Sequence, residues 1–239
     1  MNLDELNSEI VVCVRCPRLV EWRERVAREK RAAFSDQEYW GRPVPGFGDP
    51  YARILIVGLA PAAHGGNRTG RIFTGDRSGD FLFQALHRCG LSSRATSVSR
   101  DDGLRLQGVY VGAVNRCCPP GNRPTPRERD NCLPYLAREI SLLRRLRVIV
   151  TLGAFAWDGV LLALASHGHP TPRPKPAFGH AAELTVGPYR LLGSFHPSQQ
   201  NTFTGKLTEK MLEQVFRRAS TLAGSGGLPS NSRRAATWR

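Results

Sequence analysis

The sequence predicts an α/β fold: a single domain of three layers, α/β/α, around a central, mostly parallel four-stranded sheet. Three observations carry this expectation. Four short apolar runs rich in β-branched residues recur along the chain, helical patterns lie between them, and loops rich in glycine, proline or polar residues follow their ends. Strands that alternate with helices need crossover connections, which make the strands parallel and put helices on both faces of the sheet.

The first strand is expected in ARILIVGLA (52–60), the second in GVYVGAVN (108–115), the third in RVIVTLG (147–153) and the fourth in YRLLGSFH (189–196). Between the first two, SGDFLFQALHRCG (78–90) has apolar residues at helical spacing and ends on a glycine. Between the second and third, TPRERDNCLPYLAREISLLRRL (125–146) opens with Thr125 as N-cap and Pro126 at the first helical position. Pro134 inside that pattern is expected to kink the helix or to mark its effective start. SSRATSVSRDDG (92–103) and the proline-rich SHGHPTPRPKPAFGH (166–180) read as surface loops. The domain is expected to span 1–223, with 224–239 (GSGGLPSNSRRAATWR) as a disordered basic tail.

The chain has 239 residues and a formal net charge of +14, with 30 Arg against 4 Lys. Arginine pairs with phosphate through a planar fork, so basicity of this kind favours a polyanionic partner such as nucleic acid. No window approaches the apolar run needed to span a bilayer, and the N-terminus MNLDELNSEI has acids where a secretory signal would have bases. A cytoplasmic protein without membrane contact is therefore expected, in a compartment that keeps thiols reduced.

The chain has six cysteines. Cys13 and Cys16 form a C-x2-C clip before Pro17, and Cys117 or Cys118 stands across a proline-rich stretch from Cys132. Four thiolates from two short segments suit either Zn²⁺ or an iron–sulfur cluster, and spacing alone does not choose between them. Cys89, among apolar helical residues, reads as a buried packing residue.

The first strand runs into GLAPAAHGGNRTGRIFTGDRSG (58–79), where glycines permit close backbone approach and exposed N–H groups can hold anions. The stretch lacks both the GK[ST] ending of a phosphate-binding loop and the GxGxxG spacing of a dinucleotide fold. The last strand ends in SFHPSQQNTF (194–203), with a histidine placed to hydrogen-bond a reacting group.

Taken together, GLAPAAHGGNRTGRIFTGD, RCCPPGNRPTP with its trailing Cys132, and FHPSQQNT resemble, in this order, the motifs of the uracil-DNA glycosylase superfamily. The resemblance covers about residues 13–216 and is closest to the iron–sulfur-containing bacterial branch, family 5. It implies a uracil-DNA glycosylase-like fold and a four-iron four-sulfur (4Fe-4S) cluster on Cys13, Cys16, Cys117 and Cys132. The family pattern has a cysteine, one free position and then Pro-Pro, which selects Cys117 and leaves Cys118 free. Other branches of the superfamily carry an acid or amide beside the first-motif glycine, where this chain has Leu59 and Ala60.

The activity implied by the resemblance is hydrolysis of the N-glycosidic bond of uracil, and of other deaminated bases such as hypoxanthine and xanthine, leaving an abasic site. Asp76 and His196 are the expected catalytic residues: His196 stabilises charge on the departing base, and Asp76 stabilises the sugar or holds the water. Phe73 is expected to stack on the base and Asn122 to hydrogen-bond its edge, with Ala60 against the substrate. Ser198, Gln199, Gln200 and Asn201 are expected in a loop that enters the DNA groove. The implied protein is a bacterial, nucleoid-associated monomer whose partner is damaged DNA.

Overall fold

The computed structural model describes residues 1–224. Apart from Gly224, the expected tail lies outside the described residues. Six strands form one sheet: β1 (Phe47–Gly48), β2 (Ile54–Gly58), β3 (Val109–Ala113), β4 (Val148–Leu152), β5 (Glu183–Val186) and β6 (Tyr189–Ser194), in the order β1-β3-β2-β4-β6-β5. The four sequence-predicted strands are the parallel centre of this sheet, in register at Ile54↔Val109, Ile54↔Val148 and Val148↔Arg190. β1 and β5 add antiparallel edges. They escape sequence reading because β1 is a two-residue strand containing Gly48, and β5 is a half-exposed strand that joins β6 through a tight Gly187-Pro188 hairpin.

The helices are α1 (Leu3–Val11), α2 (Pro17–Glu29), α3 (Gly66–Thr69), α4 (Arg77–Arg88), α5 (Pro126–Leu142), α6 (Ala154–Ala165), α7 (Gln199–Phe203) and α8 (Glu209–Leu222). Both faces of the sheet are buried, so the strands read as continuous apolar runs while successive side chains still serve opposite cores. Ile54 and Ile56 face the core built with Leu82, Leu86 of α4 and Leu212, Phe216 of α8, whereas Leu55 and Val57 face the core built with Leu136, Ile140 of α5 and Trp157, Val160 of α6.

β2 lies between β3 and β4, so the chain leaves it for one side through α4 and returns to its other side through α5. That reversal makes the carboxyl end of β2 the switch point where open α/β sheets form ligand crevices.

Thr125 caps α5 and completes a capping box with Glu128, worth about 1 kcal/mol. The helix runs on through Pro134. On its buried side Arg116, at the end of the loop after β3, donates to Glu139, and both are almost wholly buried. One expected surface loop is less free than its composition suggests. In 92–103, Ser97 is buried, and Arg71 ties the segment down by donating to Ser97 Oγ at 2.7 Å and to Asp102 Oδ2 at 2.6 Å. An arginine from the glycine-rich stretch thus supplies the interior partner that polar residues of the loop need. No helix among the described residues is long and apolar enough to cross a membrane.

Candidate active site and cysteine site

β2 ends at Gly58, and the chain turns through Leu59, half-buried Ala60 and Pro61. Backbone bonds from Val114 N to the Gly58 carbonyl (3.0 Å) and from Asn115 N to the Leu59 carbonyl (2.9 Å) extend the β2–β3 pairing into the turn. The ring of Phe73 lies against Gly58: a Cβ there would come within 2.6 Å of its Cζ. Phe73 itself holds φ +52°, a left-handed conformation that a non-glycine residue adopts at a cost of about 1 kcal/mol or more. Its carbonyl sits where a Cβ on Gly79 would overlap it. Both glycines are therefore required to seat this one aromatic ring.

Three residues on, Asp76 is the N-cap of α4, its Oδ1 accepting from Gly79 N at 2.9 Å. Its other oxygen is packed so close to Gly65 that a Cβ there would overlap the carboxylate. Burial raises the carboxyl above its usual value, opposed by the Gly79 and Ser78 amides and by Arg68.

His196 follows β6. Its ring lies 5.8 Å from that of Phe73, centroid to centroid, tilted by 35°. Burial pushes the imidazole down to about 4, so it is neutral near pH 7. Neither ring nitrogen has a hydrogen-bond partner among the described residues, while the backbone carbonyl accepts from Asn201 Nδ2 at 2.8 Å. The neutral ring therefore has an N–H left to offer an incoming group.

Two expectations about neighbouring segments change in detail. The segment expected to be a DNA-entering loop contains a short helix, α7, capped by Ser198, because the Ser198 side chain accepts from Asn201 N. Gln199 and Gln200 are exposed, but the Asn201 amide is already engaged in holding the His196 backbone. Asn122 is exposed at the end of the turn Pro120–Asn122 with φ +57°, and no hydrogen bond among the described residues joins its side chain to Asp76 or His196. The structure thus brings Phe73 to His196 and Asp76 to the glycine-rich stretch, and leaves Asn122 exposed in the turn before α5.

The cysteines gather elsewhere. Cys13 follows α1, Cys16 is the N-cap of α2 with Pro17 at the first helical position, Cys117 lies in the loop after β3, and Cys132 is in the second turn of α5. All four line one small void together with Leu19, Arg23 and Asn131; Cys118, although buried, does not line it. Arg23 Nη1 donates to Cys117 Sγ at 3.1 Å and Asn131 Nδ2 to Cys16 Sγ at 3.4 Å.

The surrounding helices are clamped by ion pairs: Arg18 of α2 grips Glu128 of α5 through two bonds of 2.7 and 2.6 Å, and Arg138 of α5 grips Glu9 of α1. Among the described residues no group of three or more His, Cys, Asp or Glu side chains converges to hold a single metal ion. Burial pushes the thiols of Cys117 and Cys132 up to about 11 and 12, so ligation there must expel protons. Cys89 is buried as expected, its thiol raised to about 11 by burial.

Sequence reading had missed Arg23. It stands seven residues after Cys16, with Leu19 between, on the face of α2 that packs on Cys117. This i, i+3, i+7 stripe was the available signal.

A doubly covered, mostly parallel sheet carries an aromatic ring, a buried carboxyl and a neutral histidine on loops beyond its strands, the side on which open α/β folds bind their ligands. The model of the uracil DNA glycosylase superfamily matches residues 45–220. The chain belongs to this superfamily. It is 56% identical over 225 residues to a type-5 uracil-DNA glycosylase of Mycobacterium tuberculosis, covering 93% of this chain and 82% of the relative. It is 54% identical to the type-5 enzyme of Mycobacterium leprae (93% and 96%) and 49% identical to that of Thermus thermophilus (94% and 100%).

Proposed function

We propose that this protein is a monofunctional DNA glycosylase that hydrolyses the N-glycosidic bond of uracil in DNA, leaving an abasic site for base excision repair. The observation that carries this reading is Phe73 packed on Gly58 at the carboxyl end of β2 with the neutral ring of His196 5.8 Å from its own. The target nucleotide leaves the duplex at a cost of a few kcal/mol, least at a mismatch such as U opposite G. Phe73 stacks on the base, Asn122 closes onto its polar edge, and Ala60 leaves room beside it. His196 donates its N–H to the oxygen on which negative charge grows, and Asp76 stabilises the cationic sugar or orients water on the other side of the breaking bond. With Leu59 and Ala60 at the first motif, no acid there activates water, so bond cleavage leads and water follows.

A ring that stacks and a pocket with few polar contacts discriminate weakly among flat bases, which supports hypoxanthine and xanthine as further substrates. Ser198, Gln199 and Gln200 at the start of α7, with Asn201 bracing them, meet the DNA, and the net charge of +14 supplies phosphate affinity. The protein acts as a monomer on nucleoid DNA.

Cys13, Cys16, Cys117 and Cys132 would hold a 4Fe-4S cluster. The donor set fits in kind: four cysteine sulfurs line one void, and N–H groups already point at two of them. When bound, the cluster would supply a cross-link between the N-terminal helices and α5. The test is one anaerobic purification with iron and sulfide analysis, followed by single-turnover assays on U·G and hypoxanthine duplexes. Cleavage with about four irons per chain is expected; tight DNA binding without cleavage would overturn the enzymatic reading.

A further inference from the structure

Among the described residues four arginines are buried: Arg23, Arg68, Arg71 and Arg116. Two have a buried carboxylate within bonding distance, Arg71 with Asp102 and Arg116 with Glu139, while the charge of Arg68 acts on the buried carboxyl of Asp76. Arg23 has none. It is 4% exposed, and its nearest carboxylate is the exposed Glu24 at 3.7 Å. Its Nη1 donates to the Cys13 carbonyl and to Cys117 Sγ, both at 3.1 Å, and its Nε is buried without a partner among the described residues. A buried guanidinium without a buried anion costs several kcal/mol, and an unmade N–H bond adds to that. Cys13, Cys16, Cys117 and Cys132 share its void; of the other two arginines on that wall, Arg116 is already paired with Glu139 and Arg15 lies 3.7 Å from Glu9.

We infer that Arg23 is a positioning residue for the cysteine-bound group: it provides the buried counter-charge and an N–H donor to an anionic iron–sulfur cluster. This rests on the cofactor reading above. The geometry supplies its logic, because Cys16 caps α2 and Arg23 lies two turns further along the same face, so a single helix delivers both a ligand and the compensating charge. The Arg23 carbonyl also accepts from the buried Asn67 Nδ2 at 3.1 Å, so the same residue is tied to α3 in the glycine-rich stretch. A positive charge held beside the cluster favours its more reduced, more negative state, and removing the charge must favour the oxidised one.

The experiment measures iron, sulfide and the midpoint potential of the cluster in anaerobically prepared full-length wild type, Arg23→Gln and Arg23→Lys. Arg23→Gln is expected to shift the potential negative by at least the equivalent of a tenfold change in the redox equilibrium, 59 mV for one electron. Arg23→Lys, which keeps the charge, is expected to retain wild-type iron and a potential within threefold of wild type on the same scale. An Arg23→Gln protein with full cluster and unchanged potential overturns the inference while leaving the cofactor reading intact. If Arg23→Gln does not fold, a folded but colourless Arg23→Lys protein overturns it. Wild type without iron or sulfide overturns both.

Discussion

The crevice at the end of β2 and the cysteine site after α1 are built by opposite means. In the crevice the backbone fixes position: Gly58, Gly65 and Gly79 let Phe73 and Asp76 approach main chain so closely that a single methyl would displace them. At the cysteine site, position is fixed by side chains from α1, α2, the loop after β3 and α5, joined by Arg18–Glu128, Arg138–Glu9 and the Arg23–Cys117 contact. The residues at the end of β2 are seated by loops and the start of α4 beside the parallel sheet, while the cysteine site joins helices at its periphery. The two regions should therefore fail separately, and each substitution below is chosen to damage one and spare the other.

The largest effect is expected at the cysteines. Cys13→Ala or Cys132→Ala should yield colourless, poorly soluble protein, whereas Cys118→Ala, which removes a sulfur outside the void, should stay brown; visible spectra and iron content check this. A colourless Cys118→Ala beside a brown Cys117→Ala would reverse the ligand assignment. Next come His196→Ala and Asp76→Ala, each expected to slow single-turnover cleavage of U·G DNA by about two to four orders of magnitude with DNA affinity and iron content unchanged. Gly58→Ala tests the backbone argument itself. Its Cβ would meet the Phe73 ring at 2.6 Å, so cleavage should fall about 10- to 100-fold through misplacement while the cluster stays.

How far the sequence foretold these two regions follows from the same contrast. The four central strands were legible because each is a continuous apolar run, and the crevice motifs stood at their ends. The N-cap at Thr125 was legible because capping is local chemistry. Arg23, Arg71–Asp102 and Arg116–Glu139 were not, since each partner lies 23 to 94 residues away and nothing local marks which arginine turns inward. α7 was masked by its polar composition, and α6, apolar on every side, gives no periodic signal although it is buried against the sheet.

The pH profile sharpens the account of the crevice. The proposed mechanism needs neutral His196 and ionised Asp76, and both forms are lost as pH falls. With His196 near 4, the profile should lack the step of an ordinary imidazole, and the loss of rate as pH falls should be set by Asp76, whose carboxyl burial holds above its usual value of 3.8. A step centred near 6.5 would show that the imidazole titrates as if solvated.

The smallest effect, on stability, separates the two things Asp76 does. As N-cap of α4 its side chain accepts from Gly79 N, a role that asparagine fills equally well and alanine cannot, at a cost of about 1 kcal/mol. As a buried carboxyl its folded-state pKa is raised, so the folded protein binds that proton more tightly than the unfolded chain does. A raised value means that stability is fully present below the unfolded pKa and is lost as pH rises through the folded one. At neutral pH the ionised Asp76 is therefore a burden on the fold, kept for its charge. Asp76→Asn should melt at or above wild type at pH 7, and Asp76→Ala about 2–4 °C below it, in calorimetry of the two variants side by side. Both should show the large loss of cleavage rate expected above. If Asp76→Asn is destabilised as much as Asp76→Ala, the negative charge itself holds the start of α4, and the crevice has not traded stability for its carboxylate.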